Sequence, residues 1–197
     1  MFAIVESGSI TSMPKGNKGV EINGVKHPAS IFTLWTDAER LAIGIYPVRI
    51  DTTNKKDEAW YINTNITYAV DGDEVVGTYG TATAKEIEDR NATDEDGVEL
   101  DPVVVIKGLK TIKKEMIDQQ CASILAPSDW MYIKAGEEGG TMDSGWKTWR
   151  ANVRTKCNSM QTQIDNAADV DALAALFTYT TTDGVTSRPL GEFPEKE

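Results

Sequence analysis

Three runs decide the reading of this chain: LKTIKKEMIDQQCASIL at Leu109–Leu125, APSDW at Ala126–Trp130, and DSGWKTWRANVRTKCNSMQTQI at Asp143–Ile164. In the first, Leu109, Ile112, Met116, Ile117, Cys121, Ile124 and Leu125 recur every three or four residues, the spacing that lines one face of an α-helix. Pro127 has no N–H to give and stops that helix. Ser128-Asp129 then start a turn that delivers Trp130, Tyr132 and Ile133 together as an apolar knot. Beyond the Gly-rich EEGGT loop, Asp143 or Ser144 can cap a second helix whose stripe is Trp146, Trp149, Val153, Cys157, Met160 and Ile164. Two such stripes predict an antiparallel helical hairpin. A further short helix over Val170–Phe177, carrying Leu173, Leu176 and Phe177, makes residues 104–178 a helical hairpin or three-helix unit. Residues 179–197 read as an extended tail.

Upstream the pattern changes from helix to strand. FAIVESGSITSM reads as two short strands joined at Ser7-Gly8. Asn23-Gly24, between VEI and VKH, is the dipeptide that suits a type I′ hairpin turn, so a second hairpin is expected over Val20–His27. In FTLWTDAERLAIGIYPV, Thr36 and Glu39 stand at capping-box spacing. They predict a short helix from Asp37 to Ile43 that ends at Gly44, with Pro47 preventing its resumption. Leu34, Trp35, Leu41 and Ile45 are expected to pack this helix on the hairpins. A third hairpin follows between Trp60 and Thr83, turning at Asp71-Gly72. AKEIEDRN reads as a short helical turn, and NATDEDGVELDP as an acidic stretch without periodicity. The expected organisation is therefore α+β: a β-rich domain of antiparallel hairpins with a short helix at 1–91, an acidic linker at 92–103, and the helical domain.

The 197 residues carry a formal net charge of −11, with 20 Lys and Arg against 31 Asp and Glu. That excess opposes binding to nucleic acid or to an anionic membrane surface, both of which need clustered cations. No apolar run approaches the roughly 20 residues that cross a bilayer, and Met1–Glu6 lacks the basic start of a secretory signal. A cytosolic setting is expected, and the two cysteines, Cys121 and Cys157, fit it as buried thiols.

The composition of possible sites argues against chemistry. His27 is the sole histidine and stands beside a proline, with neither cysteine near it in sequence. The glycines of GNKGVEING and AGEEGG match neither a P-loop nor a dinucleotide fingerprint. The order Asp94-Glu95-Asp96-Gly97 lacks the ligand spacing of a calcium loop. The chain is therefore expected to be a non-enzyme with no catalytic residue, no cofactor and no metal. What stands out is Trp146 and Trp149 beside Arg150 and Arg154. At helical spacing these cluster on one side, either as core aromatics with flanking cations or as partner anchors, since Trp and Arg are the usual hot-spot residues.

The run LKTIKKEMIDQQCASILAPSDW, followed at a loop's distance by WKTWRANVR, resembles the C-terminal region of tail assembly chaperone and tail fibre assembly proteins of tailed bacteriophages. The matching positions are Ser128, Asp129 and Trp130, then Trp146, Trp149, Arg150, Val153 and Arg154. FAIVESGSI, the helix start Trp35-Thr36-Asp37-Ala38-Glu39 and LAIGIYPV are similar to the front part of phage tail-associated proteins. The chain departs from the pattern where Glu115 to Asp118 replace a basic Arg-Asp pair, and beyond Ile164 nothing corresponds. The resemblance implies a non-enzymatic tail morphogenesis protein that binds a tail fibre or other tail protein in the host cytoplasm, or else a structural virion component such as a fibre or baseplate adaptor. It implies partner-binding roles for Trp130, Trp146, Trp149, Arg150 and Arg154; helical spacing is expected to set Arg150 and Arg154 as a rim beside buried Trp146 and Trp149. Whether the chain also forms a homo-oligomer is left open.

Overall fold

The computed structural model describes residues 1–196 and divides into two compact units, Met1–Thr83 and Ala84–Glu197. The fold is α+β, with the strands concentrated in the first unit and the long helices in the second.

The first unit contains β1 (Phe2–Glu6), β2 (Ser9–Ser12), β3 (Val20–Ile22), β4 (Val25–His27), α1 (Ile31–Leu34), α2 (Asp37–Ala42), β5 (Ile45–Asp51), β6 (Tyr61–Ile62), β7 (Ile66–Asp71) and β8 (Glu74–Tyr79), and the boundary falls within β9 (Thr83–Ala84). Five strands form one sheet in the order β2-β1-β5-β8-β7, in which only β5 and β8 run parallel. The first two hairpin turns have both central residues in the left-handed region: Ser7 at 52° and Gly8 at 77°, Asn23 at 49° and Gly24 at 78°. Those angles twist the chain in the sense that paired strands need. Strand β1 is buried on both faces. Ile4 packs with Ile22, Ile31, Phe32 and Ile45 on one side, while Ala3 and Val5 meet Val75, Tyr46 and Tyr68 on the other. Gly77 on β8 is fixed by this packing, because a Cβ there would lie 2.6 Å from the Tyr68 ring and 2.8 Å from Ile50 Cδ1.

The capping box is present: Thr36 Oγ1 accepts from Glu39 N at 3.3 Å, and Glu39 Oε2 accepts from Thr36 N at 2.7 Å. One expectation for this region is corrected. Leu34 is 78% exposed, and Ile31 and Phe32 of the unexpected helix α1 supply the packing instead. The segment after Gly44 is the central strand β5. Pro47 is tolerated because it stands opposite Phe2, while the ladder to β8 begins only at Val48. The third hairpin pairs Asp71 with Glu74, so its turn is Gly72-Asp73, one residue later than expected.

The second unit contains β10 (Arg90–Asn91), β11 (Val105–Ile106), α3 (Leu109–Leu125), a 3-10 turn at Ala126–Ser128, α4 (Asp129–Glu137), α5 (Ser144–Asp165), α6 (Val170–Phe177), β12 (Thr180–Thr182) and β13 (Val185–Ser187). Residues 85–89 are not helical, because their polar groups serve another helix. The carbonyl of Glu86 accepts from Leu109 N and that of Ile87 from Lys110 N, both at 3.0 Å, and Asp89 Oδ1 accepts from Gly108 N at 2.7 Å. These bonds satisfy the orphan donors at the start of α3, a helix whose own N-cap, Gly108, has no side chain to do so. The acidic stretch expected as a linker is thus part of the second unit. It folds as a ribbon in which β10 pairs with β11, Thr93 bridges Glu99, and Asp94 Oδ1 accepts from Asp96 N and Val98 N.

Helices α3 and α5 pack antiparallel, as their stripes predict. Lys114 meets Asp165 at 2.7 Å, Gln161 meets Asp118, and Cys157 meets Asp118 from the next turn down. Ile117, Val153, Met160, Ile164 and, from α6, Leu173 are each fully buried. Ile112, expected on the stripe, is 46% exposed. Asp143 and Asp169 cap α5 and α6 through their side chains. The C-terminal residues are not an extended tail. Asp183-Gly184 turns β12 into β13 with φ of 52° and 78°, and the chain then returns as a strap with Leu190 fully buried.

Candidate interaction surface

The two arginines of the WKTWRANVR run have opposite environments. Arg150 is 7% exposed. Its Nη1 donates to Leu125 O at 2.8 Å and to Ser128 Oγ, and its Nη2 donates to Asp129 Oδ1 at 2.6 Å. Ser128 Oγ itself donates to Leu125 O at 2.8 Å. One guanidinium therefore joins the end of α3, the 3-10 turn and the start of α4. This differs from the exposed rim expected of Arg150, since its fork is already engaged inside the fold. Arg154, one turn further along, is exposed and makes no side-chain hydrogen bond or ion pair among the described residues.

The tryptophans divide in the same way. Trp146 and Trp149 are half-buried and stack edge to face, with ring centroids 5.5 Å apart. The strap covers this pair: Trp149 Nε1 donates to Pro194 O at 3.0 Å, and Lys196 Nζ lies 5.3 Å from the Trp146 ring centroid. Lys156 Nζ holds the strap further back, at Leu190 O, 2.8 Å away. Both indoles thus have partners within the chain.

Trp130 does not. It is 56% exposed on α4, beside Tyr132 at 71% and Ile133 at 61%. What sequence suggested as a packed knot is a short helix whose large side chains face solvent. Two clefts flank it, with Met142 in both linings. One, of about 310 Å³, lies among Trp130, Lys134, Glu138 and Trp146. The other, of about 360 Å³, is formed by Tyr132 and Ile133 on the apolar side and by Lys147 and Arg154 on the basic side. Tyr132, Ile133, Met142 and Lys147 were not picked out from sequence as surface residues. Lys147 was the most legible of them, as a cation inside the tryptophan–arginine run.

The groups weighed for chemistry take structural places. His27 lies edge-on to Trp35 with centroids 5.9 Å apart. Burial, followed by contacts with Cys121 and Asp118, pushes the Cys157 thiol up to about 12, so it stays protonated and non-nucleophilic near neutrality. Among the described residues no three His, Cys, Asp or Glu side chains are grouped to hold a metal ion. No described helix is long and apolar enough to cross a membrane. No protein-family model, curated protein sequence or solved structure matches this chain.

Proposed function

We propose that this chain is a non-enzymatic phage tail morphogenesis protein that holds a tail fibre or other tail protein during assembly, with Trp130 as its main anchor. The observation that carries this reading is the setting of Trp130. It lies immediately after the Ser128-Asp129 turn that resembles the tail assembly proteins, more than half exposed, on a helix whose start is clamped by Arg150. An aromatic side chain beside an open cleft has few rotatable bonds to order on binding and buries a large area, which is what a hot-spot residue needs. Of the five residues expected to bind a partner, Trp130 and Arg154 are the two left available. Arg150, Trp146 and Trp149 support them.

The test has two parts. Co-expression with the phage's own tail fibre and tail tube proteins, followed by affinity capture, should recover a complex that Trp130→Ala weakens at least tenfold while leaving the melting temperature within ~2 °C, as for a surface substitution. Mass spectrometry of purified virions separates the assembly factor, absent from finished particles, from a structural component present in each. Failure to capture any tail protein, or capture undiminished by Trp130→Ala, would remove this anchor and its reading.

A further inference from the structure

Among its described residues the second unit carries two exposed surfaces that nothing else in that unit covers, and they are complementary. The first is the ribbon from Asp94 to Ile106. It holds five carboxylates, at Asp94, Glu95, Asp96, Glu99 and Asp101, and no cation. It also exposes a run of aliphatic side chains: Val98 at 61%, Val103 at 58%, Val104 at 49%, Val105 at 53% and Ile106 at 40%. The ribbon is ordered by its own backbone, with Ala92 N donating to Val104 O at 2.7 Å and Leu100 N to Ala92 O at 3.1 Å. It is a fixed shape, presenting aliphatic groups beside negative charge.

The second surface is the 360 Å³ cleft between α4 and α5. Its apolar side is Tyr132 and Ile133, both more than 60% exposed. Its other side is Lys147 and Arg154, whose side chains have no partner among the described residues. The carboxylate in its lining, Asp129, is neutralised by Arg150 at 2.6 Å. The cleft thus offers apolar area beside two unmatched cations, in a chain whose net charge is −11. Exposed clusters of this apolar character mark interaction sites, and opposed potentials select and orient the partner.

We infer that the occupant of this cleft is the acidic aliphatic ribbon of a second copy of the chain. Each ribbon residue class meets its counterpart: aliphatic side chains meet Tyr132 and Ile133, and carboxylates meet Lys147 and Arg154. The two surfaces are different parts of one unit, so the contact is heterologous. An open assembly keeps one free ribbon at one end and one free cleft at the other, so it closes into a ring if the rotation permits and otherwise grows as a filament. This contact uses the Arg154 side of α4 and leaves the Trp130 side open, and it does not rest on the proposed tail role.

The test is light scattering and sedimentation of the full chain from micromolar to millimolar concentration. The wild type should rise in weight-average mass above the 21.6 kDa of one copy. Two variants then remove one surface each: Tyr132→Asp with Ile133→Asp for the cleft, and Val104→Asp with Val105→Asp for the ribbon. Each alone should stay monomeric. Mixed, they should form a complex of one copy of each and grow no further, because the mixture retains one good cleft and one good ribbon. Should either variant lose its fold by circular dichroism, Arg154→Glu and Asp101→Lys replace them in the same scheme. A wild type that stays monomeric throughout, association that survives both variants, or a mixture that fails to recover a one-to-one complex would each overturn the inference.

Discussion

Replacing Arg150 tests the clamp directly. In Arg150→Ala, Asp129 loses a charge-assisted bond of 2.6 Å, and Leu125 O loses the guanidinium donor but keeps Ser128 Oγ at 2.8 Å. Cutting a fully buried ion pair costs about 3–5 kcal/mol because the abandoned charge stays buried. Here the abandoned carboxylate is 58% exposed and regains water, so the cost falls below that range. A hydrogen bond to a charged group contributes about 1.5–3 kcal/mol net, and the buried stem of Arg150 adds lost packing. Together these give about 2–4 kcal/mol. For a unit of this size, between the small and medium domains for which scaling is known, each kcal/mol shifts the midpoint by about 4 °C, so the loss is roughly 8–16 °C. Arg154→Ala removes an exposed side chain and should move the midpoint by no more than ~2 °C. Arg150→Lys, which keeps charge without the planar fork, should fall between them. Thermal melts followed by helical circular dichroism read the second unit, which holds the long helices. If Arg150→Ala melts with Arg154→Ala, the guanidinium is not holding α3 to α4 and the clamp argument fails.

Two further variants probe the ends of the helical unit. Hydrogen bonds from Gly108 N and then from Thr111 hold the Asp89 carboxyl below its ordinary 3.8. A carboxyl depressed in the folded state stabilises that state above its unfolded value and loses the contribution as pH falls through the folded value. Asp89→Ala should therefore lower the melting midpoint at neutral pH, with a deficit that shrinks below pH 3.8; a deficit of constant size across that range would assign the loss to packing. Leu190→Ala, at a fully buried position in the strap, should cost about 2–5 kcal/mol and red-shift tryptophan emission as Trp149 loses its cover, and an unchanged spectrum would show that the strap does not seat on the indoles.

Local chemistry made some elements readable in advance. Thr36 with Glu39, and Asp143 before α5, act through hydrogen bonds within three residues, so sequence spacing contains the whole interaction. The stripe Val153, Cys157, Met160 and Ile164 was legible for a related reason: helical period alone decides which side chains share a face. Strand β5 was hidden by Pro47, whose acceptability depends on which neighbour begins pairing where. Residues 85–89 look helical by composition, yet their carbonyls are taken by the start of α3, a partner some twenty residues on. The Asp183-Gly184 turn carried the same signal as Asn23-Gly24, and the charged, Pro-containing segment after it masked the return of Leu190. For the candidate site, sequence marked Trp130 and Arg154 but could not separate Arg150 from Arg154, since both have the same local neighbours.

Their separation follows from where α3 ends. Arg150 and Arg154 stand four apart, on one row of α5. Running antiparallel to α5, α3 stops at Leu125, level with Arg150, where the chain tightens into the 3-10 turn and the Leu125 carbonyl takes side-chain donors. A guanidinium at that level supplies one of them and, with the same fork, binds Asp129, an anion suitably placed at the positive end of α4. One turn away there is no helix end to satisfy, so Arg154 faces the cleft unmatched. The Trp-x-x-Trp-Arg-x-x-Val-Arg run therefore combines two kinds of information in one spacing. Its first arginine reports how the helices are joined, and its second reports what the cleft can bind. A related chain that kept the first and replaced the second with an acidic residue would retain the hairpin and the exposed Trp130, while its cleft would reject the carboxylates that this one is built to receive.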